Sequence, residues 1–165
     1  MAQIPLDWDT VKTAFPRRST GWVQAYMTQL GPGNTPCCVQ ISHALNVAGC
    51  VIGSRSNRRH TARLTSDAGP FNYLLAVDEM KWFLEDNFGM GEEISKDDNG
   101  RRRVSIGDMK AVLRGRTGIL VFSNLHYGTH TELWDVDHMH QRDMSEALFN
   151  VPKVLFWDVM ITAVG

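Results

Sequence analysis

Apolar residues fall at helical spacing in separate segments of the first two thirds of this chain and gather into short continuous runs in the last third. That order restricts the fold more than any single motif. Trp8, Val11 and Phe15 stand at helical spacing after Asp7, a residue type that caps helix starts, and Pro16 stops the pattern. Residues 17–36, ending GPGNTP, read as a loop. Thr35-Pro36 then reads as an N-cap followed by proline at the first helical position. Beyond it Cys37, Ile41, Ala44, Leu45 and Ala48 follow the i, i+4, i+7, i+8, i+11 pattern, and Gly49 is placed as a terminator. Cys37 therefore belongs to a first helical turn. A further helix is predicted over 77–88, with Val77, Met80, Leu84 and Phe88 on one face and Gly89 at its end. Ser105-x-x-Asp108 resembles a capping box opening a short helix through Met109 and Leu113.

The late runs GILVFS (118–123), TELWD (131–135) and VLFWDV (154–159) combine β-branched, aromatic and Leu residues between turn formers, which predicts the sheet. Helices early and strands late imply an α+β domain with an antiparallel sheet, the Cys37 helix packed against it, rather than alternating βαβ units. Residues 53–73 are polar and Gly-rich and read as a long surface excursion, and KDDNGRRR (96–103) reads as a hairpin or exposed loop. With 165 residues, 43% hydrophobic and without a charge block, the chain is expected to form a single domain over 1–165 with a sizeable core. A formal net charge of -1 gives no long-range attraction to nucleic acid or an anionic membrane. No window approaches the roughly 20 apolar residues of a membrane span, and the N-terminus lacks the apolar core of a secretion signal.

Cys37, Cys38 and Cys50 are an odd number, so a complete disulfide framework is excluded and a free thiol is implied. A helix N-terminus favours a thiolate and offers unpaired N–H groups to an oxyanion, which makes Cys37 the candidate nucleophile; a small core residue is the plain alternative. Cys38 lies about 100° around the helix and reads as packing, as does Cys50 in its apolar stretch. Among the histidines, His43 is six residues along the same helix and on another face, and His60 sits in an Arg-rich loop. His130 precedes the strand TELWD, from which a sheet packed on the Cys37 helix would present it as the base. A third polar group to orient the imidazole is sought in VDHMHQRDMSE, where Asp143 heads a set that includes Gln141, His140 and Asp137. Asp135, alternating with Glu132 and Trp134, reads as a face residue. His126, His130, His138 and His140 fall close together, but no established zinc spacing is present, and neither metal nor cofactor is expected.

These residues resemble the type VI secretion amidase effectors of the fourth family, a branch of the papain-like NlpC/P60 peptidase group. NTPCCVQISHALN (34–46) is similar to the family's nucleophile helix and aligns Cys37 rather than Cys38. GRTGILVF (115–122) is similar to the Gly-rich turn and strand before its histidine, and HTELWD (130–135) to its histidine strand, which selects His130. The likeness runs from Trp8 to the final strand, with the specificity in the two motif segments. It implies a third catalytic aspartate about eleven positions after the histidine, near Gln141, so Asp143 fits with two residues inserted. Thr129 stands where the family usually has Gly, and no cysteine follows His130 although some members carry a disulfide there.

The resemblance implies a papain-like fold and a cysteine amidase that cleaves the bond between γ-D-glutamate and meso-diaminopimelate in peptidoglycan stem peptides. It also implies a cognate immunity protein, and synthesis without a signal peptide in a bacterial cytoplasm followed by export into the periplasm of target cells. The alternatives are an inactive scaffold that binds wall peptides or a partner, and the same dyad acting on another amide.

Overall fold

Five strands in the order β1-β8-β5-β6-β7 make the main path of a six-stranded sheet, whose remaining strand, β4, also pairs with β8. These are β1 (Gln3–Ile4), β4 (Glu92–Glu93), β5 (Arg116–Ser123), β6 (Gly128–Val136), β7 (His138–Met139) and β8 (Lys153–Val159). All pairings in it are antiparallel except β1 with β8. A separate antiparallel pair is formed by β2 (Thr61–Leu64) and β3 (Phe71–Leu74). The helices are α1 (Trp8–Ala14), α2 (Gly21–Leu30), α3 (Cys37–Val47), α4 (Val77–Phe88) and α5 (Ile106–Leu113), with a short 3-10 helix at Glu146–Asn150. This computed structural model describes residues 3–53, 61–64 and 71–160, with backbone alone at 61–64.

The central strands are buried on both faces, which is why they read as continuous apolar runs instead of alternating ones. Ile119, Val121, Leu133, Leu155 and Trp157 share a core with Trp8 and Val11 of α1, Ile41 and Leu45 of α3, and Met80 and Leu84 of α4. On the opposite face Leu120, Phe122, Trp134, Val154 and Phe156 pack with Met109 and Leu113 of α5 and Phe149 of the 3-10 helix. The mixed α+β class expected from the sequence is what the chain adopts. The sheet is covered by helices on two sides, whereas the sequence suggested packing on the nucleophile helix alone.

Local departures have physical reasons. The expected loop at 17–36 contains α2, where Trp22, Val23, Tyr26, Met27 and Leu30 recur at helical spacing. Val23 and Tyr26 are buried, and the Gly and Pro residues that suggested a loop begin only at Gly31. The expected excursion at 53–73 contains β2 and the start of β3, while its segments 54–60 and 65–70, including His60, lie outside the described residues. The α3 cap is Pro36 in helical conformation, and it makes no side-chain cap bond. Thr35 instead sets its hydroxyl 3.4 Å from the Cys37 sulfur. The predicted helix at 77–88 is α4, Ser105 accepts from Asp108 N–H at 3.1 Å, and the 96–103 turn closes through a Lys96–Arg102 bridge.

Candidate active site

The site is assembled where α3 begins, beside the part of β6 that β7 leaves uncovered. β7 pairs with β6 only at Trp134 and Asp135, so among the described residues the strand has no strand partner on that side at His130 and Glu132. On the other side His130 pairs with Phe122 of β5, and the two rings lie roughly parallel with centroids 6.2 Å apart.

Cys37, 2% exposed, is the first residue of α3. Its thiol is held well below its ordinary pKa range: the Cys38 thiol hydrogen-bonds it, His130 adds a hydrogen bond and a positive charge, and Thr35 contributes a hydroxyl. Together these outweigh the burial that opposes a thiolate. Cys38 is shifted the other way, well above the usual range, by the bond to Cys37, by burial and by the charges of Cys37 and Asp78. Burial alone would lower the His130 pKa, but hydrogen bonds and charge from Cys37 and Glu132 lift it to about 9. The two shifts are opposite in direction, the thiol lowered and the imidazole raised, and together they favour a thiolate–imidazolium pair.

Residues two apart on a strand point to the same side, which brings Glu132 to His130. Nε2 of His130 lies 3.0 Å from the Glu132 carboxylate, a group with 0% exposure. The amide of Gln141, just beyond β7, donates to both oxygens of that carboxylate at 3.1 and 3.0 Å. Gln141 in turn accepts from Gln40 of α3 at 3.1 Å, and Gln40 also donates to the Pro16 carbonyl at 2.8 Å. This chain of amides ties the first two turns of α3 to the free edge of β6.

The structure thus brings Cys37 and His130 together and leaves Asp143 out. The Asp143 carboxylate accepts from Arg18 at 2.6 Å with its side chain 69% exposed, and it makes no bond to the imidazole. Of the other candidates, Asp137 pairs with His138 at 2.6 Å and His140 stands edge-on to Phe15. Only Gln141 joins the site. Asp135, read from the sequence as a face residue, fastens α1 to β6 by accepting from Trp8 at 3.3 Å and pairing with Lys12 at 3.5 Å. His43 bonds the Tyr73 hydroxyl at 2.9 Å, and His126 is exposed in the β5–β6 turn. Glu132 was the residue the sequence reading passed over. The signal available was its position two after His130 in a strand whose neighbours are apolar.

The ion pair has a measurable consequence. Alkylation of Cys37 by iodoacetamide is expected to stay fast at pH values where an ordinary thiol is protonated, and to outrun Cys38 and Cys50. Mass spectrometry of the labelled peptides checks this, and a Cys37 rate that follows an ordinary thiol titration contradicts the pair.

Beside Gln141 opens a cavity of about 870 Å³ bordered by Lys12, Arg17, Arg18, His140 and Arg142, with Asp143 the acid among its lining residues. It is a basic recess on an otherwise nearly neutral chain.

A family model described as type VI secretion system (T6SS), amidase effector protein 4, matches residues 34–157, which span both Cys37 and His130. The chain belongs to this family. The solved structures of T6SS amidase effector 4 proteins share its fold at low sequence identity. The Tae4-Tai4 effector–immunity complex from Enterobacter cloacae is 19% identical, with 95% of this chain and 100% of that chain covered and a TM-score of 0.67. The Enterobacter cloacae effector Tae4 on its own is 18% identical over 97% of this chain and 100% of that one, with a TM-score of 0.66. The Tae4/Tai4 effector–immunity system from Salmonella typhimurium gives 19%, 95%, 100% and 0.65. No curated protein matches the chain.

Proposed function

We propose that this amidase effector is a cysteine endopeptidase of papain-like organisation that cleaves peptidoglycan stem peptides between γ-D-glutamate and meso-diaminopimelate. The observation that carries the reading is the buried Cys37 at the start of α3 beside His130, whose hydrogen bond and charge favour the thiolate. The Cys37 sulfur adds to the scissile carbonyl, and first-turn N–H groups of α3 hold the oxyanion. The tetrahedral adduct collapses as His130 gives its proton to the leaving amine of diaminopimelate, which leaves a thioester on Cys37. Water then gives a proton to His130 while it attacks the thioester, the D-glutamyl carboxylate departs, and the thiolate is restored. No metal or organic cofactor enters these steps.

The basic recess around Arg17, Arg18 and Arg142 suits a substrate whose stem carries several free carboxylates. The same opening is where a cognate immunity protein would exclude that substrate. Export by the type VI apparatus would deliver the enzyme to the periplasm of a competitor, where the wall lies, making it antibacterial.

The test is mass spectrometry of purified muropeptides incubated with the protein across pH. The stem is expected to split between D-glutamate and diaminopimelate with uptake of one water. The rate should be flat where Cys37 is a thiolate and His130 is protonated. It should fall on the acid side as the thiol regains its proton and on the alkaline side around His130's value of about 9. Unchanged muropeptides at every pH would remove the wall substrate from consideration.

A further inference from the structure

A carboxylate removed from water persists in a fold only where donors and a countercharge meet it. Glu132 is such a group, and its donors are specific: His130, Gln141 and the Leu133 backbone N–H at 3.3 Å. Among them only an imidazolium carries charge. Gln141 is itself clamped by Gln40, which is also fully buried and anchored on the Pro16 carbonyl. The carboxylate therefore has a fixed position and a fixed direction, toward Nε2 of His130.

We propose that Glu132, locked by Gln141 and Gln40, is the positioning residue of His130: it holds the proton on Nε2, turns Nδ1 toward Cys37 and stabilises the imidazolium. This rests on the Cys37–His130 dyad proposed above and changes which residue completes it. The candidate acids after β6 are otherwise engaged, Asp137 in the β6–β7 turn with His138 and Asp143 beyond β7 with Arg18. The position where an aspartate was expected is occupied by Gln141, a neutral donor, and the charge sits on the histidine's own strand. A carboxylate at 132 and an amide at 141 form a complementary pair, since two carboxylates there would repel and two amides would leave the imidazolium without a countercharge. The groups that bear on His130 are Cys37 from α3 and Glu132 from β6, with Phe122 of β5 supplying an uncharged ring. Cys38 acts on Cys37, and Asp78 of α4 acts on Cys38 and accepts from the Gly128 N–H at 2.7 Å.

The experiment is nuclear magnetic resonance of isotope-labelled histidine in the intact protein, comparing wild type, Cys37→Ala and Cys37→Ala/Glu132→Gln. In wild type the neutral ring of His130 is expected to carry its proton on Nε2. In Cys37→Ala, with the thiolate gone, the ring should titrate below wild type, and in the double variant it should fall further because burial then acts unopposed. A neutral ring protonated on Nδ1, or the same titration with and without the Glu132 charge, overturns the proposal. None of these readouts involves a substrate, so they stand apart from whether wall peptides are cleaved.

Kinetics supply a second arm. Glu132→Gln is expected to lower kcat by about tenfold or more with KM little changed, and to move the alkaline limb to lower pH. A merely structural role would lower the melting temperature and leave that limb in place, which also overturns the proposal. In the reciprocal Glu132→Gln/Gln141→Glu variant the amide at 132 still accepts from His130 and donates to the new carboxylate. The alkaline limb should return part of the way toward wild type. Should Glu132→Gln fail to fold, the wild-type tautomer still decides the matter.

Discussion

Replacing Cys37 with alanine is expected to reduce hydrolysis by a factor on the order of 10⁴ to 10⁶, as removal of a covalent nucleophile does elsewhere. Every chemical step proposed for the site runs through the sulfur: its charge holds the proton on His130 before attack, it makes the bond to the carbonyl, and it carries the acyl group until water arrives. The change deletes one atom at the start of a helix and retains Cβ, so stability should shift by no more than about 1 kcal/mol. Cys37→Ser should be nearly as inactive, because a hydroxyl in this setting does not ionise as the thiol does. Cys38→Ala is the informative neighbour. Cys38 hydrogen-bonds the thiolate and is fully buried, so its loss should move the acid limb of the pH profile upward while leaving turnover measurable. Rates of muropeptide cleavage in the three variants, with melting curves to certify folding, check the assignment. Turnover retained in Cys37→Ala, or lost only in Cys38→Ala, would overturn Cys37 as nucleophile.

The class of fold was legible because the helical and strand patterns in this chain occupy different stretches. α4 was predicted with its observed bounds, and the three long strands were found within a few residues. What hid α2 was punctuation: Gly31, Pro32 and Gly33 mark a true loop, but the apolar spacing from Trp22 to Leu30 before it is as regular as that of α3. The covering of both sheet faces was latent in the unbroken run Ile119–Phe122, since a strand with one wet face alternates. At the site, the Cys37–His130 encounter followed from helix N-terminus chemistry and strand placement. The third group did not. A search for a partner from beyond the turn favours free carboxylates such as Asp143, yet the carboxylate that reaches the imidazole is two residues away along the same strand. Burial decides this, and burial at Glu132 depends on Gln141 and Gln40 arriving from distant parts of the sequence. Such a three-way meeting leaves no periodic trace.

Gly118→Ala is expected to destabilise the protein by about 3 kcal/mol or more, near the upper end of overpacking costs. Gly118 lies in β5 between its two long neighbours, opposite Trp134 of β6 and Asp158 of β8. An added Cβ would collide with the Trp157 carbonyl oxygen and stand 2.7 Å from Cζ of Phe156. The ring has little room to retreat, being 1% exposed with the Arg116 guanidinium 4.9 Å from its centroid. The carbonyl belongs to the β8 backbone, so relief requires β5 and β8 to part. Gly107→Ala is the matching control: its Cβ meets only the Ser105 hydroxyl at 3.6 Å within α5, and it should be neutral or slightly stabilising through helix propensity. Urea midpoints of the two variants measure the contrast. Activity adds a second reading, because β5 also sets the register of His130 through Phe122. If strand separation reaches that far, the folded fraction of Gly118→Ala should hydrolyse more slowly and its Cys37 should alkylate more slowly. An unchanged urea midpoint would mean that the β5–β8 spacing yields easily, and that the rigidity presenting His130 to Cys37 comes instead from the Glu132–Gln141–Gln40 chain at the other edge of β6.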